Sequence, residues 1–183
     1  MSSISQYSVG AIKTFRGHDG YGYSCNLLRN GKKVAEVLED GWGGGLQFSW
    51  LDYKNSTVVN SRTYEGNPHI FNGTVEESLF YDEVMKLPKI KGFSDNDPDM
   101  FTDPDIVVDE MVNDALDTKK IKADLKKKFM IQFKDGKISY WKITPEHTLE
   151  VLRNHIKKDY PDALIINDLT LNEAVTFYKA NNL

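Results

Sequence analysis

Two glycine-rich segments hold the residues of this chain best suited to act together. Arg16-Gly17-His18-Asp19-Gly20 offers a guanidinium, an imidazole and a carboxylate, and Asp40-Gly41-Trp42-Gly43-Gly44-Gly45 adds a second carboxylate and an indole. His18 could move a proton as general acid or base, Arg16 could hold a phosphate, and Asp19 or Asp40 could orient the imidazole. Such a group would serve a small enzyme or ligand binder acting on RNA or a nucleotide, with open backbone N–H groups able to meet an anion. The plainer reading is that the glycines make bulges and tight connections in a strongly twisted sheet. Nine of the 13 glycines lie between Gly10 and Gly45. That density costs chain entropy unless the backbone must bend sharply or approach something closely.

Other chemistry is sparse. Gly17-x-x-Gly20-x-Gly22 is not a dinucleotide fingerprint, because an alternating strand follows it where that motif needs a helix. No Ser, His and Asp ordering, paired metal-ligand helix or phosphate-binding lysine motif is present, and His69, His147 and His155 are scattered. The single cysteine, Cys25, has no partner for an intramolecular disulfide, so a reducing compartment with neither structural metal nor cofactor is expected. Glu36 is expected on the core side of its strand, with a raised pKa that suits an acid or base, or else at a sheet margin with its head in water.

The elements that must position these residues begin with a hairpin. Tyr21, Tyr23, Cys25 and Leu27 alternate with smaller or polar residues, as do Leu46, Phe48 and Trp50. Asn30-Gly31 between two such runs predicts a type I′ turn. Pairing outward from it sets Arg29 opposite Lys32, Leu27 opposite Val34, Tyr23 opposite Leu38 and Tyr21 opposite Asp40, which brings the two glycine segments to one rim.

Thr74-Val75-Glu76-Glu77 is a capping box for a helix to about Met85, and Asp103-Pro104 starts a longer one carrying Val108, Met111, Val112, Leu116, Ile121 and Leu125 inward. Phe129 to Phe133, the turn at Asp135-Gly136 and Ile138 to Ile143 form a second hairpin. Thr144-Pro145-Glu146 and Thr170 then cap two final helices, the first of which would place His147 in its opening turn. The expected class is α+β, an antiparallel sheet built from an N-terminal hairpin region and a C-terminal hairpin and packed against several helices. At 183 residues this fits one compact domain: glycine-rich strands over 1–55, an acidic-to-basic helical middle over 74–128, and a hairpin with two helices over 129–183.

The formal charge of -4 is modest, but its distribution is uneven. From Phe93 to Thr118 there are nine acidic residues and no basic one, and from Lys119 to Lys137 there are eight lysines against Asp124 and Asp135. Acid early and lysine late in a helix complement its dipole, which explains part of the pattern. The acid of Asp95, Asp97, Asp99, Asp103, Asp105, Asp109 and Glu110, with Trp42, would also suit docking on a basic partner, and Lys126, Lys127 and Lys128 could touch RNA. No run approaches the roughly 20 apolar residues of a membrane span, and the start lacks a targeting pattern, so a cytoplasmic protein without membrane contact is expected.

Phe15-Arg16-Gly17, Asp19-Gly20, Gly22, Asn26-Leu27, Gly31-Lys32-Lys33-Val34-Ala35, Asp40-Gly41 and Gly43-Gly44, with the later Lys127-Lys128-Phe129 and Asp135-Gly136, resemble a pattern in small proteins of phages and mobile elements. The likeness covers the first 50 residues well and the C-terminal third loosely, and it follows shape rather than an activity. By analogy it implies a counter-defence factor of the anti-CRISPR kind, acting in the host cytoplasm. Such a factor would inhibit a host nuclease or defence complex, including Cas9 with its guide RNA, through an acidic surface. A virion or assembly accessory protein is a third reading.

Overall fold

The computed structural model describes residues 4–18, 20–55, 58–64, 67–92 and 98–181. The protein is α+β. The chain divides into two compact units, residues 1–113 and 114–183, with the boundary inside a long helix.

The first unit is built on a four-stranded antiparallel sheet in chain order, of β1 (Tyr7–Arg16), β2 (Tyr21–Arg29), β3 (Lys32–Glu39) and β4 (Gln47–Trp50). Strands β5 (Val58–Tyr64) and β6 (Asn67–Gly73) form a separate ribbon. Neither β1 nor this ribbon is anticipated by the alternation that marks β2 and β4.

Asn30 and Gly31 both take positive φ, 49° and 77°, as the predicted type I′ turn requires. The register predicted from that turn holds only for its first pairs. A bulge after Leu28↔Lys33 leaves Val34 as an extra residue, so Leu27 faces Ala35, Cys25 faces Val37 and Tyr23 faces Glu39. The carbonyl of Val34 accepts from the Leu51 N–H at 2.9 Å, so the bulged peptide keeps a partner beyond the end of β4. One inserted residue turns every later side chain of β3 over: Ala35 and Val37 are buried, and Glu36 is exposed.

Beneath the sheet, the rings of Tyr7 and Phe80 meet edge to face at 4.9 Å, and Trp50 lies 6.1 Å from Phe80. Phe80 belongs to α1 (Val75–Val84), which opens on the predicted capping box: Thr74 Oγ1 accepts from the Glu77 N–H and Glu77 Oε2 from the Thr74 N–H. Arg29 fixes this helix to β2 through a two-pronged contact with Glu76. The long helix α2 (Pro104–Lys127) starts at the predicted Asp103-Pro104, and Val108, Val112 and Ile121 are buried as expected.

The second unit carries the other hairpin, β7 (Lys128–Gln132) with β8 (Ile138–Lys142), in a three-stranded sheet completed by the short β9 (Leu164–Ile165) in the order β8-β7-β9. The two hairpins therefore belong to separate sheets. Both faces of β7 are covered: Met130 packs with Ile121, Ile166, Ala174 and Tyr178, and Phe129 and Ile131 pack with Leu152, Ile156 and Ile165.

Helix α3 (Leu149–Asp159) is capped by Thr148, not by the predicted Thr144. Thr144 and His147 instead close a turn on each other through reciprocal backbone bonds of 3.2 Å, which leaves the exposed His147 ahead of the helix. Helix α4 (Leu171–Asn181) starts at Thr170 as expected, with a capping box to Glu173. Among the described residues no helix is long and apolar enough to cross a membrane.

Candidate functional site

The glycine rim forms because two backbones touch. A Cβ at Gly17 would lie 2.6 Å from the Gly41 Cα and 2.9 Å from the Asp40 carbonyl oxygen, which only glycine permits. Gly41 itself has φ +74°, and the Gly17 N–H donates to the Gly20 carbonyl at 2.8 Å. The predicted meeting of the two segments is therefore present despite the shifted register. The bulge shifts the β2–β3 pairs beyond the turn by one residue, so that Tyr23 faces Glu39, and the β1–β2 pairs Arg16↔Tyr21 and Phe15↔Gly22 hold the first segment at the same end.

On this platform the imidazole of His18 stacks on the indole of Trp42, with ring centres 4.7 Å apart and planes 11° from parallel. His18 is exposed, Trp42 is 64% exposed and Tyr21, expected on the core face with Tyr23, is 83% exposed. Tyr21 is a rim residue that alternation misassigns, since the sheet has no core under its last pair. Arg16 is exposed at the end of β1. Asp40 accepts from the Trp42 N–H at 2.9 Å and from Gln47 Nε2 at 3.2 Å, so it shapes the loop. Asp19 lies outside the described residues.

Helix α2 supports the same loop. Asp105 Oδ2 accepts from the Leu46 N–H at 2.8 Å, and a Cβ at Gly45 would lie 2.9 Å from that oxygen. Partial burial raises the Asp105 pKa above its ordinary value, and the Leu46 bond offsets part of the rise. One turn further, Asp109 Oδ1 accepts from the Tyr23 hydroxyl at 2.6 Å; burial first and that bond second push the Tyr23 pKa far up. Neither contact is visible in the sequence, where both acids read simply as members of a cluster.

The proposed acidic face thus separates into parts. Asp105 and Asp109 bond within the first unit. Asp103 is exposed and accepts from the Asp105 N–H at 2.8 Å as the helix cap, and Asp99 is exposed. Glu110 borders an apolar depression of about 460 Å³ with Leu87, Ile90 and Ile106. Asp95 and Asp97 lie outside the described residues. In the second unit Lys126 and Lys127 are exposed, while Lys128 pairs with Asp124 at 3.2 Å.

Of the two readings of Glu36, the structure takes the one with its head in water, and the raised pKa of a core-facing carboxylate does not arise. It is exposed opposite Asn26 and bonded to Lys33 at 2.5 Å, and that bond lowers its pKa. Cys25 is buried, and burial pushes its thiol up to about 11, the character of an inert core group. Among the described residues, no cluster of three His, Cys, Asp or Glu could hold a metal ion.

An α+β protein with an aromatic, glycine-shaped rim resting on an acidic helix start is what the fold and the site together define. Comparison with protein-family models, curated proteins and solved structures found no match.

Proposed function

We propose that this protein is a counter-defence inhibitor that binds a basic, nucleic-acid-handling host protein such as a guide-loaded Cas9-type nuclease. In this reading Trp42 is the anchor, and the exposed acids at the start of α2 are the charged flank. The observation that carries it is the bond from the Leu46 N–H to Asp105 Oδ2, which seats the Trp42 loop on the acidic end of the helix. An exposed tryptophan on a loop tied down by hydrogen bonds is the kind of residue that dominates binding energy, and flanking charge sets encounter rate and partner choice. The phage-like sequence pattern supplies the class of target.

The test is binding to, and inhibition of DNA cleavage by, purified guide-loaded nucleases of this type, at low and high salt. Trp42→Ala is expected to weaken binding about 30-fold or more, the 2 kcal/mol scale of an anchor residue. Asp99→Lys with Asp103→Asn, which keeps the helix cap, should weaken it several-fold at low salt and little at high salt. Unchanged affinity in Trp42→Ala, or no nuclease bound at either salt, would defeat the reading.

The catalytic alternative at the same rim is less well served. His18, Trp42 and Tyr21 stand in water, whereas acid–base chemistry on a nucleotide gains from a site that excludes it. An RNA-directed or nucleotide-directed activity lost in both His18→Ala and Arg16→Ala would favour that alternative.

A further inference from the structure

We propose that the outer edge of β8 is a docking site for an extended peptide whose residues alternate acidic and apolar. Within the second unit β8 is an edge strand, paired on one side by β7. Two hydrogen bonds fix which of its backbone groups are turned outward. The Phe133 N–H donates to the Lys137 carbonyl and the Ile143 N–H to the Lys127 carbonyl, each at 2.9 Å. Antiparallel alternation then directs the backbone groups of residues 137, 139, 141 and 143 toward β7. Those of Ile138, Tyr140 and Lys142 point away from it, two residues apart, as an added strand requires.

The side chains bordering this edge differ between its two faces. Tyr140 is 64% exposed, with Lys128 Nζ 5.4 Å from its ring centre, and the exposed Lys142 follows two residues later on the same face. Trp141, on the opposite face, is 39% exposed, with its ring 6.1 Å from Phe129. A strand laid along β8 would put alternate side chains against the lysines and tyrosine on one face and against the indole on the other. Lysines on an edge strand also discourage aggregation, but that role does not call for a tyrosine and a tryptophan left in water beside them.

Charge selects an acidic occupant. Residues 114–183 hold thirteen lysines and arginines against ten carboxylates. RNA could use the lysines and rings but would leave the outward row of peptide groups unread.

The test is fluorescence anisotropy of the full chain with a labelled peptide of alternating glutamate and valine. A lysine and valine counterpart serves as control, together with two versions of the acidic peptide N-methylated on one or the other alternate set of amides. The acidic peptide should bind at least tenfold more tightly than the basic one. One N-methylated version should lose at least tenfold in affinity and the other should keep it. Lys142→Pro should abolish binding with little change in melting temperature, because that N–H does not serve the β7 pairing. Should that variant unfold, the methylated peptides decide alone.

Equal binding of acidic and basic peptides, or of both methylated versions, would overturn the proposal. So would an oligouridine that binds where the peptide does not, or a dimer in sedimentation that Lys142→Pro dissolves, which would assign the edge to RNA or to a second copy.

Discussion

At the scale of single residues, several polar side chains of the described residues hold backbone in place, Asp40, Thr74 and Asp105 among them. Asp105 shows it best, because its carboxylate serves a loop N–H while partial burial disfavours its charge. Asp105→Asn retains an oxygen for Leu46 and removes the charge, so it should leave stability unchanged or slightly raised. Asp105→Ala strands the amide and should cost about 1–2 kcal/mol. Urea midpoints of the two variants measure the difference. The sign follows from linkage: a raised carboxyl pKa means that Asp105 contributes most below its ordinary pKa, and that contribution is lost as pH rises through the folded value. Gly17→Ala tests the rim itself. With a Cβ forced to 2.6 Å from the Gly41 Cα, a loss of about 1–3 kcal/mol is expected, together with loss of the stacked environment of Trp42 in its fluorescence.

At the scale of elements, local signals and their outcomes can be compared one by one. The capping boxes at Thr74 and Thr170 and the Asp103-Pro104 start were legible because each depends on a few neighbouring residues. Thr74→Ala should therefore cost about 1 kcal/mol in chemical denaturation, with α1 still formed. Thr144 was misleading because two good caps stand four residues apart. The choice of Thr148 goes with the turn between Thr144 and His147 and with the burial of Leu152 and Ile156. The bulge at Val34 was likewise illegible: a hairpin turn sets the first pairs, but the Leu51 N–H on a later segment stabilises the extra residue.

Across the whole molecule, each unit has its own core, and charge is divided between them. Residues 1–113 carry seventeen carboxylates against ten lysines and arginines, the reverse of the basic balance after residue 113. Both units bury hydroxyls or thiols that resist ionisation. Desolvation pushes Tyr7 and Tyr178 up to about 12 and Cys25 up to about 11. In the unfolded chain these groups lose their protons near 10 and 9, so above those values the unfolded state binds fewer protons than the folded one. Their stabilisation is complete below about pH 9 and is lost as pH rises through 11 to 12. Urea midpoints between pH 8 and 12 should fall accordingly, and the fall should be shallower in Tyr7→Phe. An unchanged slope in that variant would mean that other groups govern the alkaline limb.

The Asn30-Gly31 turn, the caps at Thr74 and Thr170 and the start at Asp103-Pro104 were decided within a few residues of chain, because positive φ and side-chain caps act over one turn of backbone. So was the encounter of the two glycine segments, which follows from antiparallel pairing around a tight bend. The faces of β3, the exposure of Tyr21 and the inward use of Asp105 and Asp109 required the folded chain. Each depends on a partner distant in sequence, and residue type alone does not say which carboxylate finds a buried donor and which remains in water.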